Sequence, residues 1–170
     1  MITIPRWLLL LLGAIFSGYH VVLGVYSLAI PASPWPAIAA LAVYSIATVL
    51  SLWPGKRIRM PDWLAAFDLA VAIVLPLLVT SQLDPDVDNL YATWYVAAVG
   101  TLMTIAAARR QLLVAWVGVI ALAVQTVVWA GPLALAVLGV IGSMVWVAIA
   151  HTLTSALTSA GHGDAGMARE

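Results

Sequence analysis

Few residues of this chain can do chemistry, and they stand far apart. Inside long apolar runs there is one acid, Asp68, one deep histidine, His20, and the amide Gln125. Asp68 lies five positions past Trp63, which at a helical rise of about 1.5 Å per residue is about 7–8 Å into the run. A carboxylate there must pair, face a wet cavity or take up a proton. Arg59, Arg109 and Arg110 are expected on its side, so the first expectation is an ion pair tying the third apolar segment to the fourth or fifth. A signalling or proton-handling role is the alternative.

His20 follows Trp7 by thirteen residues and Gln125 follows Arg110 by fifteen, so both reach a depth of roughly 20 Å. Buried polar groups need partners, and a His20–Gln125 hydrogen bond is expected if the first and fifth segments touch. Tyr19, Tyr26 and Trp94 would line the same region, with an outward-opening pocket for a ligand, lipid or proton as the alternative. Asp84, Asp86 and Asp88 alternate like the first half of a calcium loop. Asn89 then stands where the turn glycine belongs, and Tyr95 where the bidentate glutamate belongs. They read as a solvated acidic loop, with weak divalent-cation binding as the lesser option. His151 has no acid or second histidine at ligand spacing and reads as an interfacial residue. There is no phosphate-cradling glycine loop and no nucleophile with a base at motif spacing. No catalytic residue, cofactor or nucleic-acid partner is therefore expected.

The elements that must position these residues follow from composition. Hydrophobic residues make up 64% of the chain and charged residues 8%, with a mean hydropathy of +1.08. A soluble domain carries about a quarter charged residues, so the reading is an integral membrane protein, an all-α bundle of six transmembrane helices. The spans are expected at 7–30, 37–52, 63–80, 91–108, 112–130 and 133–157, with Pro76 kinking the third. Residues 1–157 would form the membrane domain and 158–170 a flexible cytoplasmic tail.

The turn from Trp53 to Trp63 fixes orientation: it carries Lys56, Arg57 and Arg59 between two tryptophans. With six spans, Arg6, Lys56, Arg57, Arg59, Arg109, Arg110 and Arg169 all fall on one side. Basic loops stay cytoplasmic, so both termini are expected on the cytoplasmic side of the cell membrane. There is no cysteine, so disulfides and thiolate metal sites are excluded. The small pairs Ala14/Gly18, Gly13/Ser17 and Gly139/Ser143 would let helices approach closely, within one chain or across a homodimer seam.

Three segments carry a family resemblance: Pro-Asp-Trp-Leu-Ala-Ala-Phe-Asp-Leu-Ala (61–70), Arg-Arg-Gln-Leu-Leu-Val-Ala-Trp (109–116) and Val-Trp-Val-Ala-Ile-Ala-His-Thr-Leu (145–153). In pattern the chain resembles the N-terminal membrane input domain of bacterial two-component sensor histidine kinases. The resemblance implies a last span that continues as a signalling helix towards a kinase core beyond residue 170, and a fused or separate cytoplasmic signalling partner. The chain itself has neither a phospho-acceptor histidine box nor an ATP lid. The function expected is thus a transmembrane sensing module without a kinase core. Asp68, His20, Gln125, Arg109 and Arg110 would be its coupling residues and the lipid bilayer its surroundings. A small channel or transporter, and a partner-binding scaffold, are the alternatives.

Overall fold

The computed structural model describes the backbone of residues 6–53 and 59–167 and the side chains of 11–53 and 59–156. The described residues form helices and turns only: α1 (Arg6–Tyr26), α2 (Pro34–Leu52), α3 (Asp62–Thr80), α4 (Trp94–Ala108), α5 (Leu112–Ala130), a one-turn α6 (Ala134–Val137) and α7 (Val140–Met167). A 3-10 turn (Leu90–Thr93) leads into α4. Short loops make successive helices antiparallel neighbours. Backbone bonds from Met60 N–H to the Arg109 carbonyl (3.0 Å) and from Ala32 N–H to the Gln82 carbonyl (3.2 Å) close opposite ends of the bundle. One is the basic end, with Arg59, Arg109 and Arg110; the other is the acidic end, with Asp84, Asp86 and Asp88.

Four helical stretches are long and apolar enough to cross a membrane: Pro34–Leu52, Asp62–Thr80, Leu90–Ala108 and Leu112–Ala130. Leu11–Tyr26 and Val140–Ala156 are shorter apolar stretches. The flanks of the bundle are apolar too. Ile15 and Val22 on α1, Val124 and Val128 on α5, and Val145 and Ile149 on α7 are all exposed.

Helix α4 is the centre, packed against α1, α2, α3, α5 and, most heavily, α7. It is apolar around most of its circumference, as a largely surrounded helix must be. Gly100 sets the α4–α7 approach: a Cβ there would stand 3.2 Å from the Ser143 Cα, so any side chain would push the helices apart. Prolines at its first positions start α2, where their fixed φ and missing N–H cost nothing. At its other end α4 stops in a Schellman turn: Gln111 N–H reaches the Ala106 carbonyl (2.9 Å) and Arg110 N–H the Ala107 carbonyl (3.0 Å). Arg110 takes the left-handed position, φ +63°, that glycine usually holds.

The sequence expectations differ from the structure at several ends. The segment 133–157 is not one helix: it breaks between α6 and α7 at Gly139, whose φ of +81° lies in the left-handed region. The backbone of α7 then stays helical to Met167, through Gly161, Gly163 and Gly166, where composition alone suggests a flexible tail. Each glycine weakens a helix by about 1 kcal/mol, but a helix already nucleated gains one hydrogen bond per added residue. The first helix ends at Tyr26, short of 30, where the Ser27 hydroxyl bonds the Gly24 carbonyl at 2.9 Å. The middle of the Trp53–Trp63 turn, including Lys56 and Arg57, lies outside the described residues, as do Arg169 and the side chain of Arg6.

Candidate functional site

At the basic end the polar residues knit three loops and helices together. Arg109 Nη1 donates to the Ser51 carbonyl (2.8 Å), and the Ser51 hydroxyl donates to Asp68 Oδ2 (2.6 Å). Gln111 Nε2 donates to the Met60 carbonyl (2.8 Å) and to Asp62 Oδ1 (2.9 Å). With the Met60–Arg109 backbone bond, this network fastens the α2–α3 connection to the α4–α5 turn. The left-handed Arg110 is part of the device, because it turns the chain sharply enough to bring Gln111 back over Met60. From α5, Trp116 Nε1 donates to His151 Nδ1 on α7 at 3.2 Å. The segments 61–70 and 109–116 enter one latch, and a separate bond ties 109–116 to 145–153.

Asp68 is 0% exposed; its Oδ2 accepts from the Ser51 hydroxyl, and of the three arginines expected near it Arg109 is the one that acts on its charge. The ion pair among the described residues is Arg59–Asp62 at 2.9 Å, and both side chains are mostly exposed; such pairs contribute about 0–1 kcal/mol. Arg110 is exposed. The Arg109 guanidinium acts on Asp68 electrostatically, and a hydrogen-bonded path from Arg109 through Ser51 also joins them. Asp68 Oδ1 has no partner among the described residues.

From Ser51 a row of polar side chains climbs the bundle interior. Tyr44, Thr48 and Ser51 stand at i, i+4 and i+7 on α2, one helix face, and all three are buried. Ser17 and Thr48 adjoin the Tyr44 hydroxyl, although no bond of good geometry forms among the three oxygens. One turn beyond Ser17 on the same face of α1, His20 Nε2 lies 3.1 Å from Thr101 Oγ1 of α4. Thr101 gives its single proton to the Ala97 carbonyl (2.9 Å), so His20 Nε2 must be the donor. His20 Nδ1 has no partner among the described residues. A buried polar group left unsatisfied costs about 1–3 kcal/mol. His20 Nδ1 and Asp68 Oδ1, without a partner among the described residues, therefore make the two ends of the row a costly feature in an otherwise apolar core. Hydroxyls and imidazole both donate and accept, so the row can exchange hydrogen bonds between alternative partners.

His20 and Gln125 do not meet. Helix α4 stands between α1 and α5, and Gln125 Nε2 instead donates to the Ile73 carbonyl on α3 at 2.9 Å. That carbonyl is next to Ala72, which the ring of Pro76 deprives of its helical donor. Tyr19 stacks edge-on against His20, and Trp94 against Tyr44 rather than near Gln125. The acidic loop is tied to its own backbone: Asp84 Oδ1 accepts from Asp86 N–H and Asp88 Oδ1 from Leu90 N–H, each at 2.9 Å. No group of three acidic, histidine or cysteine side chains placed to hold a metal occurs among the described residues. Gly13 and Ser17 face the interior, Ala14 and Gly18 face outward, and Ser143 packs against Gly100.

Sequence reasoning passed over Ser51, Gln111, Tyr44, Thr48 and Thr101. The helical spacing of Tyr44, Thr48 and Ser51 inside an apolar run was the available signal for three of them. Gln111 carried none, since its role depends on which turn lies across from it.

No curated protein and no solved structure matches the chain. A family model described as a domain of unknown function (DUF8320) matches residues 6–161. That match takes in α1 to α5 whole, the row and the latch, and the chain belongs to this DUF8320 family.

Proposed function

We propose that the chain is a six-span membrane module, basic end inward, that passes a stimulus from its outer half to its inner end. In this it acts like the input domain of a sensor histidine kinase. One observation carries the reading: the buried row from His20 and Thr101 runs through Ser17, Tyr44 and Thr48 to Ser51 and Asp68, where it joins the latch. Hydrocarbon offers such groups no partners, so the row is stable only in a few discrete hydrogen-bonding arrangements. Two such arrangements, biased by a ligand or a proton, are a two-state switch. Its output would reach α7, the helix that leaves the bundle at the inner end, through Trp116 and His151.

The test is a double-mutant cycle in nanodiscs with His20→Ala and Asp68→Asn, read by unfolding free energy and by amide exchange at Met60. The two residues lie roughly 12 Å apart along the bundle axis, counting 1.5 Å per residue from the helix starts. At that separation unrelated sites add within about 0.3–0.5 kcal/mol. Coupling beyond this, with altered Met60 exchange in the His20 variant, supports the switch; strict additivity sinks it. The same unpartnered hydroxyls favour a second reading, a path for protons. Proteoliposomes under a pH gradient decide between the two, since flux abolished by Thr48→Val would make conduction the function.

A further inference from the structure

One contact between α5 and α7 depends on where a single proton sits. Trp116 Nε1 donates to His151 Nδ1 at 3.2 Å, with ring centroids 6.4 Å apart and ring planes at 67°. An indole N–H can only donate. Whichever imidazole nitrogen faces it must therefore carry a lone pair, so His151 is neutral in this arrangement. An imidazolium carries N–H on both nitrogens, and protonation would set two donors against each other. The bond is then lost. The face of an indole attracts a cation, but His151 sits at the edge and reaches the face only if one ring turns. Trp116 stands four residues past Leu112, the first residue of α5, about 6 Å from the helix start. Under the proposed membrane placement that depth is the inner interface, where water can bring the proton.

We propose that Trp116 and His151 form a proton-operated clasp between α5 and α7, shut while the imidazole is neutral and released when it is protonated. Few other charges bear on it. The helices packed on α7 are α4, α5 and α6. Neither α5 nor α6 has a titratable side chain, and α4 has only Tyr95, at the acidic end. Beyond α4, Arg109 is directed to the Ser51 carbonyl and Arg110 is exposed. His20 bonds Thr101, and Asp68 accepts from Ser51. Among the described side chains of α7, His151 is the only one that titrates. Released from α5, α7 stays packed on α4, so it can shift against α5 without leaving the bundle. The clasp gives the proposed output step a regulator, and its bond stands whether or not the row switches.

The experiment uses the full chain in nanodiscs, with spin labels on Leu113→Cys of α5 and Leu153→Cys of α7. Both positions are exposed. The label-to-label distance is measured at about pH 8 and about pH 5, the range in which histidines change charge. The expected change is about 1–2 Å, the size of a helix shift, and the Trp116 indole N–H resonance should move with the same midpoint. His151→Gln keeps an acceptor for the indole but cannot titrate, so it should hold the pH 8 distance at both values. Trp116→Phe removes the donor and should give one distance at both. His20→Gln should leave the change intact. A distance that ignores pH in the unsubstituted background overturns the proposal. So does a change that persists in His151→Gln, or one that disappears in His20→Gln. None of these readouts depends on the coupling of His20 to Asp68, so the clasp and the switch fail separately.

Discussion

The two ends of the bundle handle their polar groups in opposite ways. At the basic end Ser51, Met60, Asp62, Arg109 and Gln111 satisfy one another across three segments of chain. At the acidic end Tyr95 and Gln125 each keep an atom without a partner among the described residues, beside the proline-bearing helix α3 and a crevice. An interior that closes its hydrogen bonds has one geometry; an interior that leaves them open can accept a ligand or a second arrangement. The contrast is one of degree, because Asp68 Oδ1 at the basic end also lacks a partner among the described residues; under the proposed function it would give reception to the acidic end and holding to the basic end.

Deleting single polar groups at each end should expose this difference. Ser51→Ala removes the hydroxyl that Asp68 Oδ2 accepts from and should cost about 2–3 kcal/mol, the range for a hydrogen bond to a buried charged group. Chemical unfolding in detergent or nanodiscs would measure it, and an unchanged midpoint would remove the latch from the account. Gln111→Leu loses the bonds to Met60 and Asp62 and should cost about 1–2 kcal/mol. Here the sharper readout is amide exchange, with Met60 faster and the acidic loop unaffected; acceleration at both ends would erase the contrast. Tyr95→Phe removes a hydroxyl that bonds nothing among the described residues and should change stability by less than about 0.5 kcal/mol. A loss as large as that of Ser51→Ala would mean that the two ends are built alike.

The helical class and the position of five long helices were legible because an apolar run of helical length has few other ways to fold. The burial of Asp68 was legible for the same local reason. Partners were not. His20 bonds Thr101 and Gln125 bonds Ile73 because α4 takes the centre, and no local pattern states which helix will be surrounded. Equal depth placed His20 and Gln125 in one layer, but two residues can share a layer with a helix between them. The break at Gly139 also escaped, since a glycine in an apolar run reads as helix until its φ turns positive. Charge pointed to an arginine beside Asp68, and Arg109 does act on it, but the hydrogen bond comes from Ser51 on the neighbouring helix, a partner that no charge rule names.

The central claim is that the basic end lies inside a cell membrane and the acidic end outside it. The chain has no cysteine, so single substitutions Asp86→Cys and Arg59→Cys report without background. With a membrane-impermeant maleimide on intact cells, the account predicts labelling of Asp86→Cys at once and of Arg59→Cys only after permeabilisation. Labelling of Arg59→Cys from outside, or of both positions alike, would contradict it.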